Sequence, residues 1–302
     1  MADNNRSSFL SSVAEIAILF FVVFLIRTFF FGLYQVPSGS MEATMLVGER
    51  FFADKLTPYF TEIKRSEVIA FNDPTFEYSE NGLVRLFQDY VWGPSNWTKR
   101  VIGVPGDHMK GTIEDGKPVV YRNGKKLDEH AYTNPYPLIK VWTVDPEEVS
   151  TYLQNGKARR VWDLIVPKSF DPHQPLENQP LYRIKKERVV IEETEPGVLF
   201  PGTPIRAAVK QEYEAGESYW SGGDEFDVVL GPNQYWVMGD NRLGSKDSRV
   251  FGPIDRRLIH GRIKYRIWSI DSDEAWWIWD LIKGPADFWA RVRWKRFLQR
   301  VT

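Results

Sequence analysis

Apolar residues along this 302-residue chain fall first in one unbroken block and then in short scattered runs. Residues 13–33 carry two charges, Glu15 and Arg27, one towards each end, and 16–26 is apolar throughout. At 1.5 Å per residue such a block spans about 30 Å, the hydrocarbon thickness of a bilayer, so a transmembrane helix is expected here. A buried core helix and a cleaved signal peptide accommodate the same apolar run. Cleavage is disfavoured because no small-x-small site follows and Thr28-Phe29-Phe30-Phe31 continues the run with bulky side chains. Arg6 is the sole cation of the preceding tail, and it does not fix an orientation.

Past residue 33 the pattern changes to runs of four to six aromatic or β-branched residues between Gly, Pro, Asp and Asn. Residues 50–54, 67–71, 99–104 and 234–238 predict strands, and Asp115-Gly116 and Asn123-Gly124 predict two hairpin turns, since Gly and Asn tolerate the positive φ that tight hairpins require. The fold class is therefore mainly β: an amino-terminal transmembrane helix, a β-rich domain, an inserted second β or irregular subdomain, and a carboxyl-terminal amphipathic helix. The expected divisions are a tail (1–12), the anchor (13–33), two parts of the β-domain (34–107 and 226–270) around a Pro-rich insertion (108–225), and a Trp-rich basic segment (271–302). In that last segment Trp294, Phe297, Leu298 and Val301 recur at helical spacing with Arg and Lys mostly opposite them. A helix lying in a membrane interface and a helix packed on the body both carry this pattern.

Composition then removes several chemistries. There is no Cys, hence no disulfide, thiolate metal site or Cys nucleophile, and the four His (His108, His130, His173, His260) form no local ligand pair, so neither a metal nor a cofactor is expected. Lys plus Arg (39) balances Asp plus Glu (40), which leaves no overall field for nucleic acid.

Three short segments carry chemistry. Pro37-Ser38-Gly39-Ser40-Met41-Glu42 presents hydroxyls on a tight turn just after the anchor. A serine is a weak nucleophile unless a base stands beside it. Lys99, in Lys99-Arg100-Val101-Ile102-Gly103-Val104-Pro105-Gly106-Asp107, is either a solvated strand-edge residue or, if buried among apolar neighbours, a lysine pushed towards neutrality. The third segment, residues 239–249, packs small hydroxyls among alternating charges.

Together these boxes resemble type I signal peptidase, a membrane-anchored serine endopeptidase with a Ser/Lys dyad, over the anchor, 34–107 and 226–270. The resemblance implies Ser40 as nucleophile, Lys99 as general base, Ser38 as oxyanion donor and Ser245 as the residue that orients the amine. It also implies a structural polar cluster of Arg100, Asp240, Asn241, Asp247 and Arg249, and a substrate strand lying near Val36 and Trp97. Ala43 stands where the family usually has Pro, an exchange that removes no catalytic group. The implied partners are signal peptides of exported preproteins and the lipid bilayer, with no nucleic acid and a monomeric enzyme. The implied location is the cytoplasmic membrane, single-pass, with the catalytic domain on the outer side. A self-cleaving repressor-like Ser/Lys hydrolase would lack the anchor, and a scaffold that had lost catalysis would not need all three serines and the lysine.

Overall fold

The computed structural model describes residues 2–190, 223–272 and 277–301. The apolar block forms a helix, Ala2–Leu25, extended by a wider turn at Ile26–Phe30. Residues Ser12–Phe30 are long and apolar enough to cross a membrane, and none of that stretch is buried against the protein. The helix ends three residues before the expected boundary at 33, because Phe31–Gln35 already forms a strand paired with Arg50–Asp54.

The main sheet is antiparallel and runs in the order Phe31–Gln35, Arg50–Asp54, Ile259–Trp268, Val68–Asn72, Asn96–Gly103, Gln234–Met238, Ile254–Asp255. Side chains alternate between the faces of a strand. Ile69, Phe71, Val101 and Val237 face one core with Phe251 and Ile254, while Trp236, Met238 and Ile102 face another with Met109, Phe226 and Val228. Val68 and Ala70 face a third, with Met41, Met45, Phe51 and Ile263. Cover on both faces explains why these strands are nearly continuous apolar runs rather than alternating ones.

Four of the expected strands are present, with ends shifted by up to three residues. Both hairpin turns are present too: Asp115 and Gly116 (φ 50° and 73°) and Asn123 and Gly124 (φ 53° and 76°) adopt the left-handed pairs that two-residue hairpins need. These turns link His108–Glu114, Lys117–Arg122 and Lys125–Lys126 into a second sheet, completed by Phe226–Val229. A strand assigned to the second part of the β-domain thus pairs with the first strand of the expected insertion. A third sheet, Val189–Val190, Leu138–Trp142 and Ile165–Ser169, holds Ile139 and Val141 against Leu46 and Tyr182, directly behind the Ser-Gly-Ser turn. Residues 191–222 of the insertion lie outside the described residues.

The carboxyl-terminal segment corrects the expectation of a helix through 294–301. It forms two short helices, Trp277–Lys283 and Pro285–Arg291, then a single 3-10 turn at Trp294–Arg296 and a strand, Gln299–Arg300, that pairs with Ile259–Trp268. Trp276 lies outside the described residues. What overrides helical periodicity is packing. Phe288 is fully buried against Trp268, Val292 bridges to Ile270, and Arg296 and Arg266 both reach the buried Glu49. Burial alone would raise the Glu49 pKa, but hydrogen bonding and charge from Arg296, with the charge of Arg266, hold it below the usual value.

Because Phe288 fills a closed space between the tail and the sheet, Phe288→Ala should destabilise the protein by about 3 to 5 kcal/mol in urea unfolding. A loss below ~1 kcal/mol would mean the tail is not docked as described.

Candidate active site

Ser40 lies in a 3-10 turn, Gly39–Met41, entered from an extended Ser38 (φ −141°, ψ 157°). Met41 and Met45 anchor the turn in the core. Asn241 holds it from one side, donating from its side-chain amide to the Gly39 carbonyl at 2.9 Å and from its backbone N–H to the Ser40 carbonyl at 3.1 Å. On the other side the buried Glu42 carboxyl meets the backbone N–H of Ser169 at 3.2 Å together with the hydroxyls of Ser169 and Tyr182. Burial pushes the Glu42 pKa above the usual carboxylate value despite these hydrogen bonds. A Cβ at Gly39 would stand 2.6 Å from Glu42 Oε1, so a larger residue there has to displace the Glu42 carboxyl from its hydrogen bonds.

Lys99 sits on Asn96–Gly103, opposite Ile69 and on the same strand face as Trp97 and Val101. It is 5% exposed, which decides against a solvated edge position. Its Nζ lies 2.8 Å from Ser40 Oγ and 3.1 Å from the Thr98 carbonyl, and stands over the Trp97 ring at 5.7 Å. Burial lowers its pKa to about 8, against the opposing pull of the Asp247 and Asp240 carboxylates. A near-neutral amine in contact with a hydroxyl is an arrangement able to activate a nucleophile.

Around this pair the polar cluster closes on itself. Arg100 and Asp240, both about 1% exposed, form a two-pronged pair at 2.8 and 2.7 Å, with Arg100 Nη1 also donating to the Ser66 carbonyl. Asp247 accepts from Gly239 N–H and from Arg249, which reaches Asp224 at 2.7 Å as well. The Asp247 carboxyl stays below its usual pKa because the Arg249 charge and these donors outweigh burial. Arg249 also donates to the carbonyl of Arg242, whose own guanidinium pairs with Glu129 at 2.6 Å.

The other expected residues are distributed around this pair. Ser38 is exposed beside the turn, within the same short loop as Ser40. Ser245 is buried against Gly239, where an added Cβ would stand 2.2 Å from Ser245 Oγ and 2.4 Å from the Ser40 carbonyl. It makes no hydrogen bond to Lys99, whose hydrogen-bond partners are Ser40 and Thr98. The Val36 side chain belongs to the core, and its N–H and carbonyl pair with Glu49 and Gly48, so it offers no free strand edge of its own. Trp97 does lie at an edge. Its strand pairs with Gln234–Met238 only from Arg100 onward, leaving Trp97 to Lys99 with one paired side among the described strands.

The match to known proteins falls on this same stretch of chain. The family model for signal peptidase, peptidase S26, covers residues 9–268, from the apolar helix to the end of the strand Ile259–Trp268. The chain belongs to the signal peptidase family. Signal peptidase I of Buchnera aphidicola subsp. Schizaphis graminum is 25% identical over 90% of this chain and 79% of its own. That of Haemophilus influenzae is 26% identical over 91% and 73%. A crystal structure of a signal peptidase I from Enterococcus faecalis aligns with 67% of this chain and 97% of its own at 17% identity, with a TM-score of 0.27. Peptidase activity follows from membership of the family.

Residues not singled out from the sequence complete the candidate site: Glu42 with Ser169 and Tyr182, and Glu129 with Arg242. Glu42 and Arg242 lie inside the quoted boxes; their partners come from the insertion and have no sequence signal of their own.

Two predictions follow from the packing of Lys99. Below pH 8 both folded and unfolded chains carry the ammonium, and the folded chain holds it out of water at a cost of about 3 kcal/mol. Because the folded pKa is the lower one, the unfolded chain binds more protons between pH 8 and 10.5, so stability rises through that window. Lys99→Met should therefore gain up to about 3 kcal/mol in urea unfolding at pH 7, an advantage that shrinks as pH approaches 10.5. The second concerns the close approach at Gly239. Gly239→Ala must displace Ser245 or the Ser40 backbone, and should lower kcat about 100-fold, as a shift near 1 Å at a nucleophile does, with little change in KM.

Proposed function

We propose that this chain is the endopeptidase that removes amino-terminal signal peptides from exported preproteins, with Ser40 as nucleophile and neutral Lys99 as general base. The observation that carries the reading is the buried Lys99 amine 2.8 Å from Ser40 Oγ. Ser40 Oγ attacks the scissile carbonyl carbon while its proton passes to Lys99 Nζ. The resulting ammonium then protonates the leaving amide nitrogen as the C–N bond breaks, and the acyl group stays on Ser40. Lys99, neutral again, takes a proton from water as the water oxygen attacks the acyl carbon; the C–Oγ bond then breaks, Lys99 returns the proton to Ser40 Oγ, and the signal peptide leaves with a free carboxylate. The oxyanion is met by the Ser40 N–H, which opens its turn without an intrahelical partner, and by the Ser38 hydroxyl. Each such donor is worth about 3 to 4 kcal/mol in the transition state.

The one-sided edge at Trp97 to Lys99 suits an extended substrate added as a further strand, with main-chain hydrogen bonds for affinity. Val36 then acts through the core behind that groove. Ser245 and the cluster of Arg100, Asp240, Asn241, Asp247 and Arg249 fix the loop that grips the nucleophile turn. The apolar helix anchors the enzyme in the cytoplasmic membrane with the β-domain on the outer face, where Ser40, ten residues beyond Phe30, lies close to the bilayer as the cleavage site emerges. The working unit is a monomer that needs neither metal nor cofactor.

Ser40→Ala and Lys99→Ala should each abolish cleavage of a preprotein in detergent, and the double variant should be no worse, since residues acting as one unit are not additive. In the native enzyme kcat/KM should rise about tenfold per pH unit at low pH and level off above a limb near pH 8, the value to which Lys99 is lowered. Cleavage by Lys99→Ala near the native rate would reject the lysine as base.

A further inference from the structure

The connection between Val68–Asn72 and Asn96–Gly103 holds a nine-residue helix, Gly82–Tyr90. Asn81 caps it, its side chain accepting from the N–H groups of Leu83 and Val84 at 3.0 and 3.2 Å. A helix this short is marginal in water and draws its stability from burying an apolar face. Here the apolar residues point outward: Leu83 is 81% exposed and Trp92 78%, with Val84, Leu86, Phe87 and Val91 exposed between them. Contiguous apolar surface of this kind marks a contact with another protein or with a membrane.

Position selects the membrane. Helix residues Gln88 and Asp89, with Val91 just beyond, share an open cleft of about 470 Å³ with Phe24 and Arg27 at the end of the apolar amino-terminal helix and with Lys55. Lys55 Nζ donates to the Arg27 carbonyl at 3.0 Å, tying that end of the helix to the β-domain. Phe29 and Leu33, exposed at the foot of the anchor, line the same cleft, so the patch lies beside the apolar surface of the anchor's end. Cations at the rim of an apolar face, with Trp at its end, form the pattern of a segment lying at headgroup level.

We infer that Gly82–Tyr90 with Val91 and Trp92 inserts its apolar face into the bilayer interface as a second lipid contact beside the anchor. This rests on the anchoring reading above. The contact lies on the connection that leads directly into the strand bearing Lys99, so it fixes the tilt of the catalytic body as well as its distance from the membrane.

The absence of Cys makes the test direct. The full chain is prepared as three variants, Leu86→Cys, Val22→Cys in the anchor and Lys125→Cys on an exposed hairpin. Each is labelled with an environment-sensitive fluorophore and reconstituted into phosphatidylethanolamine/phosphatidylglycerol vesicles containing nitroxide lipid. Without substrate, the label at 86 should be quenched by shallow nitroxides and should be several-fold less sensitive to aqueous iodide than the label at 125. Quenching by lipid at 22 but not at 86 overturns the second contact and leaves the anchor standing; failure at both positions overturns the two together. Protection at 86 that arises only when a preprotein is added to a Ser40→Ala background assigns the face to substrate, and protection without lipid quenching that grows with protein density assigns it to a second copy. Either result overturns the inference.

Discussion

A lysine amine held out of water beside a serine hydroxyl is the constraint around which the rest of this structure is arranged. The ordinary amine holds its proton far too tightly to accept one from serine near neutral pH. Desolvation lowers the Lys99 pKa to about 8, and desolvation requires a strand with cover on both faces. The paired sheet, the Phe251 and Val101 core, and the Trp97 ring supply that cover. The same burial that would suit the amine to act as a base is destabilising, so on the proposed function the site holds activity against stability.

The second demand is that the surrounding charges not undo the first. Asp240 and Asp247 both favour a protonated lysine, and unpaired they would raise its pKa. Each is taken up by an arginine, Arg100 for Asp240 and Arg249 for Asp247, in two-pronged geometry. Removing one partner of such a buried pair costs about 3 to 5 kcal/mol, which ties the loop of 239–249 firmly to the strand of Lys99. Asn241 then passes that rigidity to the nucleophile turn through two hydrogen bonds, and Glu42 secures the far side to the third sheet. The insertion thus touches the candidate site through the back of the Ser40 turn.

Much of this was legible in the chain because local patterns carried it. Residues 50–54 and 234–238 match their strands end to end, and the Asp-Gly and Asn-Gly pairs fold as their backbone freedom dictates. Ser40 and Lys99 could be paired through the resemblance of their boxes, although 59 positions separate them. What stayed hidden depends on tertiary context. The pairing of Phe226–Val229 with His108–Glu114 crosses a Pro-rich stretch with no local sign of it. Trp294, Phe297, Leu298 and Val301 repeat as in a helix, yet the buried Glu49 draws Arg296 inward and the sheet takes Gln299–Arg300 as a strand. Val36 and Ser245 show the same limit at finer scale: their positions in the boxes were plain, but what each packs against was not.

The central claim concerns a single proton and can be read at the atom that carries it. Lysine labelled with ¹³C at Cε, in the full chain in detergent micelles, gives an NMR signal for Lys99 identified by its loss in Lys99→Met. Titrated from pH 6 to pH 11, that signal should move with a midpoint near 8, well below the ordinary lysine value of about 10.4. A Lys99 signal that titrates with the bulk would show an amine charged at working pH, and would contradict the account of Lys99 as the base.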